Sequence, residues 1–404
     1  MTGDGTPLGR LAIAHYGKAL KEVNRDGRGS NPVYGSNGEI GRHTEALVAF
    51  PTIIIGRKGS VGEVTYAPQG GWPIDTAYYL EPLDPDRVDL RYLYWALRHA
   101  RLDQRVITTS IPGLNRDELY RTRVFEPPVD EQRRIAAILD KADAVQRKQR
   151  ERMRLLDQFV RSAFLEIFGD LVRHPGVRNL PTGWQLVTVE SIATKTTNAC
   201  AGGPFGSSLT RADYQVTAGV PVIRGTNLVA DQAVFREEGF VFVSDEKAEE
   251  LRRNVALPGD IVFTQRGTLG QVAQIPLNAK YPRYIISQSQ MKVTLDETVV
   301  DPMYFVHYFL SKRARTDLEG RTVATGVPHI NLSILKGFPV VLPPLSLQHR
   351  FASLASRFAT CRRHMESASC DADKLASSLA QVAFGGDPTN FAHPIGVSLK
   401  WELQ

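Results

Sequence analysis

The longest periodic stretch of the chain runs from Pro127 to Gly169 and reads PPVDEQRRIAAILDKADAVQRKQRERMRLLDQFVRSAFLEIFG. Its apolar positions Ile135, Ile138, Ala142, Val145, Phe159 and Ala163 follow a roughly heptad spacing, broken by Gln149 and Arg152. That spacing predicts one long helix with a single greasy face. The two prolines hold the approach extended, because a residue before proline is pushed out of the helical region. Asp130 is placed to cap orphan backbone N–H groups, and Glu131 suits the positive end of the helix dipole. Gly169 supplies a left-handed stop. Residues 131–168 then span roughly 57 Å, far more than an ordinary globular helix.

The same pattern returns 216 residues later. Pro343-Pro344 stands for Pro127-Pro128, Ser346 for Asp130 as the cap, Gln348 for Gln132 and Gly385 for Gly169. The apolar stripe recurs as Phe351, Leu354, Phe358, Cys361, Leu375 and Leu379. Starts and stops at one offset predict helices of equal length, and two greasy stripes are most simply covered by each other. The expected packing residues are Ile135, Ile138, Val145 and Phe159 against Phe351, Leu354, Phe358 and Leu375.

Short alternating runs precede each long helix and predict mixed α/β domains. In the first, PVYGSNGEIGRH (Pro32 to His43) carries turn signals between short strands. Ile53-Ile54-Ile55, the glycine-rich Gly56 to Gly62 and Glu63 to Tyr66 read as strand, turn, strand. Asp89 to Arg105 is helix-like, and Ile111-Pro112-Gly113-Leu114-Asn115 leads toward the prolines. The order repeats after Leu180-Pro181-Thr182-Gly183-Trp184: Ile261 to Gly270 matches Ile53 to Gly62, Asp301 to Arg315 matches the Asp89 helix, and Val327 to Asn331 matches Ile111 to Asn115. Outside these anchors the halves diverge, as in GGPFGSSLTRADY (Gly202 to Tyr214). Gly386 to Gln404 has no periodicity and reads as a tail or capping strand.

Composition narrows the class only modestly. With 42% apolar and 23% charged residues over 404 positions, the chain matches a globular protein of two or three domains. Its net charge of +6 is compatible with a nucleic-acid partner. Three cysteines with no CxxC pair argue against a disulfide framework or zinc site and for a reducing, cytoplasmic setting. No signal pattern or bilayer-length apolar run is present, so no membrane association is expected.

Motifs for chemistry are missing. The glycine turns at Gly59/Gly62 and Gly267/Gly270 lack a following Lys-Ser/Thr pair and open no helix, so they are not phosphate-binding P-loops. They read as tight hairpins, or as tips carrying Arg57, Lys58, Gln265 and Arg266 toward DNA, where Arg and Lys suit guanine edges or phosphates and Gln suits adenine. Glu126-Pro127-Pro128 and Leu342-Pro343-Pro344 lack both the Asn/Asp and the aromatic residue of an adenine-methyltransferase motif. Asp245-Glu246-Lys247 contains half a nuclease motif, but Ser244 ahead of it makes a capped helix with acids in the first turn the better reading. Arg147 to Arg154 suits a solvated helix face, with a partner or DNA surface as the alternative. No catalytic residue, cofactor or metal site is expected.

Together these features resemble the specificity subunit of type I restriction–modification systems: a variable domain, a PPxxxQ helix (Pro127-Pro128, Gln132), an LPxGW restart (Leu180 to Trp184), a second variable domain and a second PPxxxQ helix (Pro343-Pro344, Gln348). The resemblance covers nearly the whole chain. It implies target-recognition domain 1 at residues 1–126, a spacer helix at 127–170, target-recognition domain 2 at 171–342, a second spacer helix at 343–385 and a tail at 386–404. The two helices would form an antiparallel coiled coil in a pseudo-twofold internal repeat. Each recognition domain would read half of a bipartite site in double-stranded DNA, with candidate contacts Asn37, Arg42, Arg57, Lys58, Arg224, Asn227, Gln265 and Arg266. Two methyltransferase subunits and restriction/translocase subunits would dock on the chain, which itself performs no chemistry. The alternatives are the specificity subunit of a type IIB-like enzyme, a fused enzyme with its own active site, and a protein scaffold that binds no DNA.

Overall fold

The computed structural model describes residues 5–25, 29–105, 113–169, 180–322 and 329–384. It divides into two compact units, residues 1–150 with 366–404, and residues 151–365. Both periodic stretches are helices, Val129–Phe168 and Leu345–Phe384, of 40 residues each. Their first and last residues keep the 216-residue offset.

The helix starts differ from the expected capping in one respect. The carbonyl of Pro128 accepts the N–H groups of Glu131 and Gln132 at 2.9 and 3.0 Å, and that of Pro344 accepts those of Leu347 and Gln348 at 2.9 and 3.2 Å. The prolines therefore take the cap position, while Asp130 and Ser346 lie inside the first turn, where Asp130 still meets the positive end of the dipole. Gly169 ends the first helix at φ +60, the left-handed stop its sequence position implied. Gly385 and the tail fall outside the described residues.

In the unit built from 1–150 and 366–404, an antiparallel sheet runs in the order Ala12–Tyr16, Ala77–Pro82, Thr52–Gly56, Val64–Ala67. A smaller sheet joins Gly38–His43, Asn31–Gly35 and Trp72–Pro73. Helix Leu90–His99, capped by the Asp89 carboxylate on the Tyr92 N–H, buries Tyr92, Leu93 and Leu97 against Ile53, Ile55 and Leu80. It is shorter than the Asp89 to Arg105 expectation: Arg101 turns the chain at φ +48, and Leu102–Arg105 forms a separate 3-10 turn.

The unit 151–365 repeats this plan. Its antiparallel sheet runs Cys200–Gly202, Gln290–Val293, Ile261–Thr264, Val272–Gln274, beside a mixed sheet of Val241–Val243, Val220–Ile223, Tyr284–Ile286 and Val255–Ala256. Helix Pro302–Leu310 takes the place of Leu90–His99, and Ser311 breaks the expected longer helix by capping Lys312–Glu319 through the Ala314 N–H. The restart at Leu180 to Trp184 leads into strand Gln185–Thr188, paired with Pro339–Leu342; Thr6–Pro7 pairs with Arg123–Val124 in the same way.

The glutamine of each PPxxxQ stretch explains why the motif recurs. Gln132 is 1% exposed, donates to the carbonyls of Pro127 (2.8 Å) and Arg87 (3.1 Å), and accepts the Asp89 N–H at 2.9 Å. Gln348 is fully buried, donates to Pro343 (2.8 Å) and Val299 (3.4 Å), and accepts the Asp301 N–H at 2.9 Å. Each side chain ties the start of a long helix to the start of the domain helix beside it.

The long helices pack antiparallel. In the first unit Ile135, Ala136 and Leu139 share a core with Ala383, with Leu379, Ala380 and Phe384 alongside. In the second, Val160, Phe164 and Phe168 share a core with Phe351 and Ala355, and Phe159 stacks near Phe358 at 4.9 Å. The repeat extends to single rings: Phe384 sits 5.5 Å from Tyr92, and Phe168 sits 4.8 Å from Tyr304.

The buried stripe is rotated from the one the heptad spacing implied. Leu139 is buried where Ile138 is only half-buried; Val160 and Phe164 are buried where Phe159 is 51% exposed, and Val145 is 48% exposed. Each helix covers a domain as well as its partner helix, which turns the buried face. Leu354 and Phe358 are half-buried, and the side chain of Leu375 lies outside the described residues. Among the described residues no helix is long and apolar enough to cross a membrane.

Candidate nucleic-acid interface

The glycine turns lie at equivalent places in the two units. Ile55↔Val64 and Phe263↔Val272 close the two hairpins. The turn residues Lys58 and Arg266 then bridge Gly113 and His329, and the carbonyls of Arg57 and Gln265 accept the N–H groups of Leu114 and Ile330. The segments after residues 112 and 328 therefore buttress the turns; Ile111, Pro112, Val327 and Pro328 lie outside the described residues.

In the first unit the structure brings Ser36, the neighbour of Asn37, against the turn that carries Lys58. A methyl on Gly56 would collide with the carbonyls of Ser60 and Ser36, so only glycine lets the Ser36-Asn37 hairpin lie against the turn. Asn37 and Lys58 are exposed at these tips. Arg57 is more constrained: it donates to the Asp75 carbonyl at 2.9 Å and lies 5.2 Å from the Tyr16 ring, which Arg116 flanks at the same distance. Burial, helped by a hydrogen bond with Tyr16, pushes the Tyr78 hydroxyl up to about 12, so it stays neutral. Arg42 stands apart from the tip, at the far end of the hairpin, where it donates to the Ser30 carbonyl at 2.9 Å and meets Glu39 at 3.2 Å.

In the second unit Arg224 and Arg266 border one concavity, joined by Arg236, Gln271 and Gln290. Among the described residues no acidic side chain lines it. Nearby Glu237 is turned instead to the Lys280 N–H and the Tyr284 hydroxyl, at 2.7 and 2.8 Å. Gln271 is a fixed part of the wall, accepting from the Thr264 hydroxyl at 2.8 Å and donating to the Leu228 carbonyl at 2.9 Å. Gln265 is half-buried beside the turn, and Arg266 is exposed. Asn227 does not face the concavity as a free side chain. It is fully buried, donates both amide hydrogens to Arg236 and Glu238 carbonyls at 3.0 Å, and accepts the Arg224 N–H at 2.9 Å. Its amide holds the loop and leaves no donor for a base edge.

Arg236 and Gln290 were not singled out in the sequence. The available signal was the polar run Ser287-Gln288-Ser289-Gln290 between apolar Tyr284–Ile286 and Met291. Strand Gln290–Val293 is held in place by Lys292, whose ammonium meets the buried Asp260 carboxylate at 2.9 Å.

Other polar clusters have structural explanations. Ser244 caps Asp245–Glu250 through the Lys247 N–H, and Lys247 pairs with Glu250 at 2.8 Å. Arg147 and Arg154 pair along their own helix with Asp143 and Glu151 at 3.0 and 2.7 Å. The described residues hold no cluster of His, Cys, Asp and Glu able to bind a metal ion. Cys200, Cys361 and Cys370 are free thiols.

A family pattern described as Type I restriction modification DNA specificity domain matches residues 8–153 and again 181–366. The chain belongs to this family. It is a specificity subunit, the non-catalytic member of a type I restriction–modification system. Among curated proteins it is similar to the Type I restriction enzyme MjaIX specificity subunit of Methanocaldococcus jannaschii, 20% identical over 325 residues, covering 76% of this chain and 71% of that one. Among solved structures it is similar to the type I restriction–modification S subunit of M. genitalium, at a TM-score of 0.60 and 16% identity over 95% of this chain and 99% of that one. That second likeness bears on the fold: two domains and two long helices in the same architecture.

Proposed function

We propose that this specificity subunit reads a bipartite site in double-stranded DNA, one half through each domain, and docks methyltransferase subunits, two by symmetry, together with restriction/translocase subunits. Residues 1–126 and 171–342 are the target-recognition domains in this reading. Stretches 127–170 and 343–385 are the spacer helices, with 386–404 as a tail. The observation that carries it is the pairing of a repeated scaffold with unlike surfaces. Sheet order, helix caps and the Gln132 and Gln348 clamps recur, whereas the turns present Asn37, Lys58 and an Arg57–Tyr16–Arg116 stack in one unit and an arginine-lined concavity in the other. Two different short sequences read from one duplex call for that combination. A concavity bordered by three arginines also suits the acceptor-rich edges and phosphates of DNA.

The test is domain exchange. Replacing residues 171–342 with the corresponding domain of a related specificity subunit, in a strain carrying the partner subunits, is expected to change one half of the methylated motif and leave the other intact. Change in both halves, or in neither, would sink the modular reading.

A further inference from the structure

Among the described residues, the two buried side-chain atoms of the second unit's concavity that lack a protein partner are both donors. The Gln290 side chain is fully buried, and its Oε1 accepts the Ser287 hydroxyl, yet its Nε2 has no hydrogen-bond partner in the protein. Nor has the buried Nε of Arg224, whose guanidinium otherwise donates to the Gly239 carbonyl at 2.8 Å. Both residues line the same recess as Arg236 and Arg266. A buried donor left unpaired costs about 1–3 kcal/mol, so two at one recess mark a place where an acceptor is meant to arrive. Gly225 keeps the recess open: a methyl there would stand 3.7 Å from both Gln271 Oε1 and Gln290 Nε2.

We infer that the recess bordered by Arg224, Gln290 and Arg266 takes an acceptor-only group of the DNA, either the O6/N7 edge of a guanine or a backbone phosphate. The inference rests on the DNA-reading function proposed above and adds to it the chemistry recognised by the second domain. The alternatives at a base edge fit poorly. Adenine and cytosine each present an amino donor in the major groove, which would meet the unpaired donors of Gln290 and Arg224, and thymine offers a single acceptor, O4, beside an apolar methyl. Guanine presents two acceptors side by side, and a phosphate presents only acceptors. Gln290 and Arg266 are then specificity-determining or positioning residues, according to which of the two groups enters.

The experiment uses the full chain assembled with its methyltransferase subunit and a pool of duplexes carrying every base at each position, at two salt concentrations. Gln290→Met keeps the buried volume but removes both amide donors. Arg266→Ala alters an exposed side chain and leaves the fold intact. Gly225→Ala keeps all donors and narrows the recess, at a spacing that is ordinary van der Waals contact. If a guanine edge enters, the two donor-removing variants weaken binding roughly five- to 150-fold and lose the preference for guanine at one position. If a phosphate enters, binding weakens evenly across all sequences, and the salt slope of Arg266→Ala falls by about one. Gly225→Ala weakens the same contact in either case. Unchanged affinity, base preference and salt slope in both donor-removing variants, on duplexes that the wild-type complex binds, would overturn this inference alone. Failure of the wild-type complex to bind any duplex in the pool would overturn the DNA reading and this inference with it.

Discussion

Replacing Phe351 by alanine is expected to destabilise the 151–365 unit by about 3–5 kcal/mol, the usual cost of emptying a buried aromatic site. The ring is fully buried and lies 5.2 Å from Phe164, 5.6 Å from Phe168 and 5.1 Å from His307. These neighbours cannot collapse into the space, because Phe164 and Phe168 are packed on each other at 4.8 Å and Phe168 on Tyr304 at 4.8 Å. Phe358→Ala is the matched comparison. Its ring meets Phe159 but is only half-buried, so less apolar surface and a smaller cavity are at stake. Chemical denaturation, with amide exchange followed in helix Pro302–Leu310, should show a large loss for the first variant and a small one for the second. Equal effects would mean that Phe351 does not join the long helix to its domain.

The second large effect is expected at the paired glutamines. Gln132→Leu and Gln348→Leu keep approximate volume while removing the partner of a part-buried aspartate N–H and of a buried proline carbonyl. Each unpaired group costs about 1–3 kcal/mol, so a loss of roughly 3 kcal/mol or more is expected from either change. The damage should be local. Gln132→Leu should raise amide exchange around Asp89 and helix Leu90–His99, and Gln348→Leu around Asp301 and helix Pro302–Leu310. Under the bipartite reading each variant should also blur one half-site and spare the other. Exchange rising in both units from a single substitution would contradict the separate clamps.

Much of this architecture was legible in the chain because backbone punctuation is local. Paired prolines and Gly169 each act within a few residues of themselves, and the structure uses them nearly where the sequence put them. The cap at Asp130 was misplaced by two residues because a proline carbonyl can accept the first helical bonds without any side chain. The rotated stripe has a different origin. Heptad counting assumes one partner, and these helices serve two, so Leu139, Val160 and Phe164 replace Ile138 and Phe159 in the core. The candidate interface residues were the least legible. Arg224 and Asn227 are neighbours in sequence, yet one borders the concavity while the other is spent inside the loop; Gln290 reaches the same recess from a strand more than sixty residues away. Such convergence depends on sheet register, which no single segment encodes.

The central claim, that two unlike domains on one repeated scaffold read two halves of a site, is tested most directly by mapping genomic methylation with and without this gene. The account predicts a methylated motif made of two short, different half-sites separated by a fixed stretch of unspecified bases, lost when the gene is removed and restored by the intact chain. A continuous motif with no spacer, or methylation that persists unchanged without the gene, would contradict it.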